Sequence, residues 1–456
     1  MAAPADAIFV DGEVHTLAHP DRTAEAFAVR DGTVVRVADT YEVEFLEGIE
    51  TTRIDLDGRP VIPGFVDANA HLLGIGLRRR RADLSGVDPE TARSRLRADA
   101  DRDREWIVGV GSPNASLDRT DLDAVSETRP VVVISRDRKT MTLNSAALAA
   151  IGHEPVESGV VEWPDSQPVW GALAPDRDRT RDLIEAGIEH AHRHGVTAVQ
   201  DDVLTATTAR AYQDLDRMGA LSLRVQVDRR PPVGNAGDPI AAARTLGIPS
   251  GAGNDRLRMG AIRVDVDQQP ADESTLPSLA ALNEAAAAAG LTVRPLATDE
   301  QALDDVLSEF EDGLVIDRAD RVRDDQIRAL AERLATVVAS PGRPDSADSQ
   351  RGGRYGRLHA AGVSLALGSD GFSMAPFRAI ERLRSAPGPE QRLAVTEALR
   401  AGTRGGPLAR GGSPGTIEVG APADVIVLSD SPWERPASDV SVDLTVVDGE
   451  LVYERP

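Results

Sequence analysis

The stretch Val61-Ile-Pro-Gly-Phe-Val-Asp-Ala-Asn-Ala-His-Leu-Leu73 carries three polar residues behind an apolar run. Asp67, Asn69 and His71 occupy every second position, and alternate side chains of an extended strand share one face. The spacing therefore predicts that the three side chains point the same way at a strand end. A metal enzyme would place two imidazoles there, because alternate positions can hold one ion from the same side. Only one of the two positions is a histidine here.

Short apolar runs alternate with helical stretches through the middle of the chain. The runs cover residues 61–66, 196–200, 223–227, 259–266, 291–296, 313–317, 335–340 and 363–368. The helical patterns between the later runs cover residues 178–194, 206–219, 274–289, 299–312, 322–334 and 376–385. Eight buried strands that alternate with helices are typical of a parallel (β/α)8 barrel, also called a TIM barrel. We therefore predict an α/β fold with such a barrel over residues 61–385.

The segments outside this region contain short strands and turns. Residues 1–60 carry strand-like runs followed by Asp-Gly pairs, which are hairpin signals. The segment 386–456 repeats this pattern, so we expect both ends to form one composite β-sandwich domain. Residues from about 78 to about 175 separate the first two barrel strands and hold a polar helix and two strands of their own. We interpret them as an insertion after the first barrel strand.

The composition excludes several classes of partner. The 456 residues include 74 acidic and 51 basic side chains, for a formal net charge of −23. Such a surface repels nucleic acid and anionic membranes, so we predict neither as a partner and expect a small-molecule ligand. The charge favours adaptation to a salt-rich, haloarchaeal type of cytoplasm. A cytoplasmic location also follows from the lack of cysteine and of a signal-like or membrane-spanning apolar run.

Three stretches resemble the amidohydrolase superfamily, and most of all its branch called amidohydrolase family 3. The stretch from Val61 to His71 is similar to the first-strand motif, which ends His-x-His in the family. Leu365-Ala-Leu-Gly-Ser-Asp370 resembles the last-strand motif with its metal-binding aspartate, and Gly415 through Leu428 resembles the closing β-sandwich segment. The resemblance covers nearly the whole chain. It implies a hydrolase acting on carbon–nitrogen bonds other than peptide bonds, with a divalent metal, commonly zinc, that activates water.

The metal-binding positions implied by this resemblance are mostly substituted. Asn69 stands at the first histidine of the first-strand pair, and an amide oxygen is a poor zinc ligand. Arg263 falls at the fourth-strand position of a carboxylated lysine or a glutamate, and arginine cannot be carboxylated into a bridging ligand. The fifth-strand histidine falls on Pro295 and the sixth-strand histidine on Arg318. We therefore expect that the family's metal set is degenerate.

His71 and Asp370 are what remains of that set. Because two ligands would hold an ion only weakly, a retained metal is the less favoured alternative. We therefore expect no cofactor, with zinc held by these two residues as the exception. Lys139, the only lysine in the chain, falls where the insertion of the family carries a substrate-side histidine. No histidine lies between His194 and His359, so no shift of the alignment restores one.

The substitutions leave three functions open. Arg263 and Arg318 would place fixed positive charge where the family places a metal. They either pair with aspartates and plug an inactive site, or bind an anionic small molecule together with Lys139 and Asn69. In the third alternative, an active hydrolase with a reduced or metal-free site uses His71 and Asp370, the candidate catalytic residues.

A histidine run offers a separate candidate metal site. His190 and His194 lie four residues apart, a spacing that places both on one face of a helix. The run ends at Gly195, a signal for a helix C-terminus, where the helix dipole favours histidine. We therefore interpret the run as a helix end.

Overall fold

The computed structural model describes residues 3–18, 22–100, 105–135, 140–162, 165–203, 205–230, 239–267, 278–311, 313–319, 321–341, 353–372, 374–404 and 415–456. Within these ranges no helix is both long and apolar enough to cross a membrane. The chain divides into two compact units, one of Met1–Leu72 with Ile188–Pro456 and the other of Leu73–Gly187. Strands and helices are numbered along the described residues.

Eight parallel strands form a barrel in the first unit. They are β8 (Phe65–Ala70), β14 (Val196–Val203), β15 (Arg224–Arg229), β16 (Leu257–Asp265), β17 (Val293–Ala297), β18 (Val315–Arg318), β19 (Thr336–Ala339) and β20 (Ser364–Leu367). Each strand pairs in parallel with the next in this order. The backbone N–H of Asp370 donates to the Asn69 carbonyl at 2.8 Å and links the end of β20 to β8. The predicted (β/α)8 barrel is confirmed.

Helices follow most of these strands. They are α7 (Arg177–Arg193), α8 (Ala206–Arg217), α9 (Pro239–Leu246), α10 (Leu279–Ala288), α11 (Glu300–Glu309), α12 (Asp324–Glu332), α13 (Tyr355–Ala360), α14 (Pro376–Ser385) and α15 (Val395–Thr403). In α14 a proline occupies the first turn, where no intrahelical N–H bond is lost. Phe377, Ile380 and Leu383 recur every third residue and are buried, so one stripe of this helix faces the core.

The two ends of the chain form the predicted β-sandwich. One sheet contains β5 (Thr33–Ala38), β4 (Ala26–Arg30), β1 (Ala7–Val10) and β6 (Thr52–Asp55), in that order, with α1 (Thr40–Glu44) beside it. The other contains β23 (Glu450–Glu454), β22 (Val442–Val447), β21 (Val425–Leu428), β7 (Pro60–Pro63), β2 (Glu13–His15) and β3 (Thr23–Ala24). Their inner faces share one apolar core, in which the rings of Phe9 and Phe27 stack with centroids 4.4 Å apart.

Two expected boundaries differ from the structure. The barrel begins at Phe65 rather than at residue 61, because β7 pairs with β2 and β21 in the sandwich. Gly64 allows the close passage between the two sheets, since a methyl group there would lie 2.3 Å from the Thr197 side chain. Helix α15 falls within the segment 386–456, yet it packs on the barrel beside Phe65 and Leu367.

The second unit contains a five-stranded sheet. Its order is β13 (Val160–Glu162), β12 (Thr140–Leu143), β11 (Val131–Ile134), β10 (Ile107–Val110) and β9 (Ala82–Asp83). Strands β9 to β11 run parallel, and β11 to β13 run antiparallel. Its helices are α2 (Leu72–Arg79) without Leu72, α3 (Pro89–Ala100), α4 (Arg119–Asp123), α5 (Ser145–Ala150), α6 (Gln167–Ala172) and the part of α7 up to Gly187. In sequence the unit lies between β8 and β14, where we expected an insertion.

Candidate functional site

The carboxyl ends of the barrel strands bring Asn69, His71 and Asp370 together. The Asn69 Nδ2 donates to Asp370 Oδ1 at 3.3 Å, and the His71 Nε2 lies 3.4 Å from the same oxygen. Asp370 adopts a positive φ of 48°, which turns its side chain back toward β8 just after β20 ends. Asn69 and His71 therefore reach one carboxylate, as expected for alternate residues of a strand.

Arg263 from β16 lies at the centre of the barrel and is 2% exposed. Its Nη1 donates to Asn69 Oδ1 at 2.9 Å and lies 3.5 Å from Asp202 Oδ2. Its Nη2 donates to Asp317 Oδ2. Burial works to lower the pKa of Arg263, but the carboxylates of Asp317, Asp202 and Asp228 outweigh it and raise this pKa further above its ordinary value. Arg263 is therefore a fixed cation with protein partners on several sides.

A second buried arginine, Arg294 from β17, extends this network. Its Nη1 donates to Asp228 Oδ2 at 3.1 Å and to Gln200, while its Nη2 donates to Asp317 and to the Ala68 carbonyl. Asp317 therefore bridges Arg294 to Arg263, and it is fully buried. Such bridging leaves both arginines with charged partners away from water.

The position of Arg294 corrects the expectation for the fifth strand. Because Arg294 points into the barrel, the adjacent Pro295 faces the opposite side of β17. The inward positions of this strand are therefore Arg294 and Leu296. Pro295 therefore does not face the site as expected, because neighbouring residues of a strand lie on opposite faces.

Two aspartates of the network respond differently to burial. Burial works to raise the pKa of Asp202, but Arg263 and Arg230 outweigh it and hold this pKa below its ordinary value. At Asp228 burial outweighs the attraction of Arg294 and Arg263, so its pKa is raised. Asp228 also accepts hydrogen bonds from the Ala261 N–H at 2.9 Å and from Gln226. These neutral donors help hold the Asp228 carboxylate against β16.

Asp67 and Asp201 stand apart from the arginines. Asp67 accepts hydrogen bonds from the backbone N–H groups of Asn69 at 3.1 Å and Ser369 at 2.9 Å, and burial raises its pKa. Asp201 accepts from the Leu72 N–H at 3.0 Å and from the Tyr212 hydroxyl. Burial raises the pKa of Asp201 to about 6, despite the opposing attraction of His71. Asp67 thus links the end of β8 to the residues that follow β20, and Asp201 binds the first residue of α2.

The remaining predicted residues lie elsewhere. Arg318 ends β18 with a positive φ of 83° and is half-buried, and Asp317 from the same strand occupies the central position instead. Lys139 lies outside the described residues. The His190 and His194 rings contact each other edge to face, with centroids 4.5 Å apart, near the C-terminal end of α7, as expected for a helix end.

The donor set does not fit the metal of the amidohydrolase resemblance. A divalent metal needs several neutral imidazoles or carboxylates whose lone pairs face it. Here Asn69 Oδ1 already accepts from a guanidinium, and the Asp317 carboxylate is bound by two arginines. Among the described residues, no three side chains of His, Asp or Glu are grouped so that they could hold an ion. The chemistry of the centre is that of an ion-pair network.

A sequence model of the amidohydrolase family matches residues 52–453. The chain belongs to the amidohydrolase family. It is similar to the putative amidohydrolase YtcJ of Bacillus subtilis, with 29% identity over 252 residues that cover 50% of this chain and 46% of that protein. It is also similar to the N-substituted formamide deformylase of Arthrobacter pascens, with 25% identity over an alignment of 547 positions that covers 100% of this chain and 99% of that protein.

Solved structures of related fold agree with this assignment. An uncharacterized metal-dependent hydrolase from Pyrococcus furiosus has a TM-score of 0.78 and 22% identity, and the match covers 94% of this chain and 99% of that one. The atrazine chlorohydrolase TrzN from Arthrobacter aurescens, complexed with zinc, has a TM-score of 0.62 and 15% identity, and the match covers 98% and 95%. At these identities the likeness is one of fold.

Proposed function

We propose that this protein is an amidohydrolase-family member that binds a small molecule at the carboxyl end of its barrel and has lost metal-dependent hydrolysis. The observation that carries the proposal is the buried guanidinium of Arg263, which donates to Asn69 and Asp317. A permanent cation in this position repels a divalent metal. It also occupies the oxygen lone pairs that a metal would need.

Metal content is the first test. We expect well under one metal ion per chain by plasma mass spectrometry, for protein purified in high salt without chelator and again after addition of zinc or manganese. His71→Ala and Asp370→Ala serve as controls, because they remove the two candidate ligands that remain. One ion per chain, lost in either variant, would contradict the proposal and support a hydrolase with a reduced metal site.

Hydrolysis is the second test. An N-substituted formamide is a suitable substrate, because a relative that covers the whole chain is an N-substituted formamide deformylase. We expect no turnover that depends on added zinc or is lost with a chelator. Zinc-dependent turnover by wild type that His71→Ala abolishes would overturn the proposal.

A second candidate function has its own observation. The His71 Nε2 lies 3.4 Å from Asp370 Oδ1, within reach of a histidine–carboxylate pair that could move a proton without a metal. If this pair is catalytic, turnover of the formamide should resist chelators and fall about 100-fold or more in both His71→Ala and Asp370→Asn. Turnover that persists in either variant would exclude this candidate.

A further inference from the structure

Resting on the proposed function, the geometry points to Arg230 as the residue that receives the ligand, and to a monocarboxylate as the class of ligand. Arg230 directly follows β15, so it lies at the carboxyl end of the barrel, where (β/α)8 barrels bind their ligands. Its side chain is 31% exposed, whereas those of Arg263 and Arg294 are 2% exposed. It is therefore the solvent-accessible member of the three arginines.

Arg230 is held from one side only. Its Nε donates to Asp202 Oδ2 at 2.5 Å, and Asp202 itself is 1% exposed and faces Arg263 at 3.5 Å. The two terminal nitrogens of Arg230 have no hydrogen-bond acceptor within the described part of the chain. A guanidinium fork anchored through Nε offers its outer edge in a fixed orientation, which is the geometry that binds a carboxylate with two parallel hydrogen bonds.

The neighbouring charges limit the ligand to one negative charge. His71 is close enough to Asp202 to lower the pKa of that carboxyl, so the imidazole, Asp202 and Arg230 belong to one cluster. The same barrel end carries Asp370, and the protein as a whole has a net charge of −23. A dianion such as phosphate would meet this negative field with both of its charges, whereas a monocarboxylate matches the single charge of Arg230.

Arg230 is thus proposed as the ligand-binding arginine in place of Arg263 and Arg318. Both terminal nitrogens of Arg263 already donate to protein acceptors, and its side chain is 2% exposed. Arg318 ends β18 in a half-buried position. In the sequence, the feature that marks Arg230 is its spacing from two other polar residues. Gln226, Asp228 and Arg230 occupy alternate positions, and the first two point into the barrel.

The test uses benzoate as the probe, with the neutral benzamide of the same shape and inorganic phosphate as comparisons. Binding to the full chain is followed by ligand-observed NMR titration at fixed ionic strength. We expect wild type to bind benzoate at least about tenfold more tightly than benzamide or phosphate. Arg230→Met should weaken benzoate binding at least about tenfold, and Arg230→Lys should fall between, because lysine keeps the charge but loses the fork.

Arg435→Met is the matched control, because Arg435 is 63% exposed and pairs with Asp430 on the surface. It should bind benzoate as wild type does. A crystal soaked in benzoate provides a readout that does not depend on the folding of a variant, and its carboxylate should lie on the terminal nitrogens of Arg230. Equal binding of benzoate and benzamide, unchanged binding in Arg230→Met, or a carboxylate bound elsewhere would overturn the inference.

The two proposals fail separately. The proposed function is tested by metal content and formamide turnover, and the ligand inference is tested independently by benzoate binding. A metal-loaded hydrolase that binds benzoate through Arg230 would overturn the proposed function and leave this inference standing. A metal-free protein that ignores benzoate would overturn the inference alone.

Discussion

Replacing Arg263 by methionine removes the central cation of the barrel while keeping a long side chain in its place. The substitution leaves the Asp317 carboxylate, which is fully buried, with Arg294 as its remaining charged partner. Asp202 keeps Arg230. Breaking a buried ion pair by removing one partner costs about 3–5 kcal/mol, because the other charge stays buried without compensation. Since each carboxylate keeps one arginine, we expect the lower end, about 3 kcal/mol of lost unfolding free energy.

The assay is chemical denaturation followed by far-ultraviolet circular dichroism at constant salt. A double-mutant cycle with Asp317→Asn isolates the interaction from other effects of each substitution. We expect a coupling energy between Arg263 and Asp317 of about 2 kcal/mol or more, in the upper part of the range for contacting residues. The exposed pair Arg435 and Asp430 is the control, and its coupling should stay within about 0–1 kcal/mol.

One result would refute the reasoning. If Arg263→Met is as stable as wild type and the coupling to Asp317 is no larger than that of the surface pair, the guanidinium is not held by the network. Arg263 would then be available to a ligand, and its loss should appear in binding instead. A stability loss without a change in benzoate binding supports the structural role.

Three further predictions concern other parts of the molecule. Because burial raises the pKa of Asp201 to about 6, the folded state holds a proton that the unfolded state releases near pH 4. Asp201 should therefore make stability fall by up to about 3 kcal/mol as pH rises from about 4 to 6. Burial raises the pKa of Asp67 and Asp228 as well, so Asp201→Asn should reduce the slope of stability against pH without abolishing it, in denaturation curves taken across that range. A slope of equal size in both proteins would contradict the assignment. Gly64→Ala should cost about 1–3 kcal/mol because its methyl group would meet Thr197 at 2.3 Å, whereas Gly171→Ala in α6, with open space around it, should gain about 0.4–1 kcal/mol; equal effects would exclude the clash. The net charge of −23 should make the thermal midpoint rise with potassium chloride between about 0.1 and 2 M as repulsion is screened, and an unchanged midpoint would argue against adaptation to salt.

The barrel was predictable because its strands and helices have different periods. Buried strands such as β19 read as short apolar runs, and helices such as α14 carry an apolar residue every third or fourth position. The boundary at Pro60–Pro63 was not predictable from this pattern. Both β7 and the first two residues of β8, Phe65 and Val66, are buried and apolar, and the partner that separates the two strands, β21, lies more than 350 residues away in sequence.

The site was predicted in part. Arg263 was found because its position follows from the amidohydrolase resemblance, and the structure places it at the centre. Arg294 was missed because a shift of one residue moves a strand position from one face to the other. Polar residues at alternate positions of apolar strands were the available signal, as in Gln200 with Asp202 of β14. A barrel interior that carries such pairs on several strands predicts a buried polar network before any alignment.

The network makes the proposed loss of the metal compatible with the fold. A metal ion and a set of arginines can both balance the negative charge of carboxylates at the end of a barrel. Here three arginines pair with three aspartates: Arg230, Arg263 and Arg294 with Asp202, Asp228 and Asp317. Unlike a metal ion, each arginine is part of the chain and forms hydrogen bonds in fixed directions. Removing one arginine therefore leaves a particular aspartate without that charged partner. On the proposed function, Asn69→His alone should not create a metal site, because the cation at Arg263 would remain. On the proposed function, a metal-dependent hydrolase would be obtained from this chain only by replacing the arginines and their partners together.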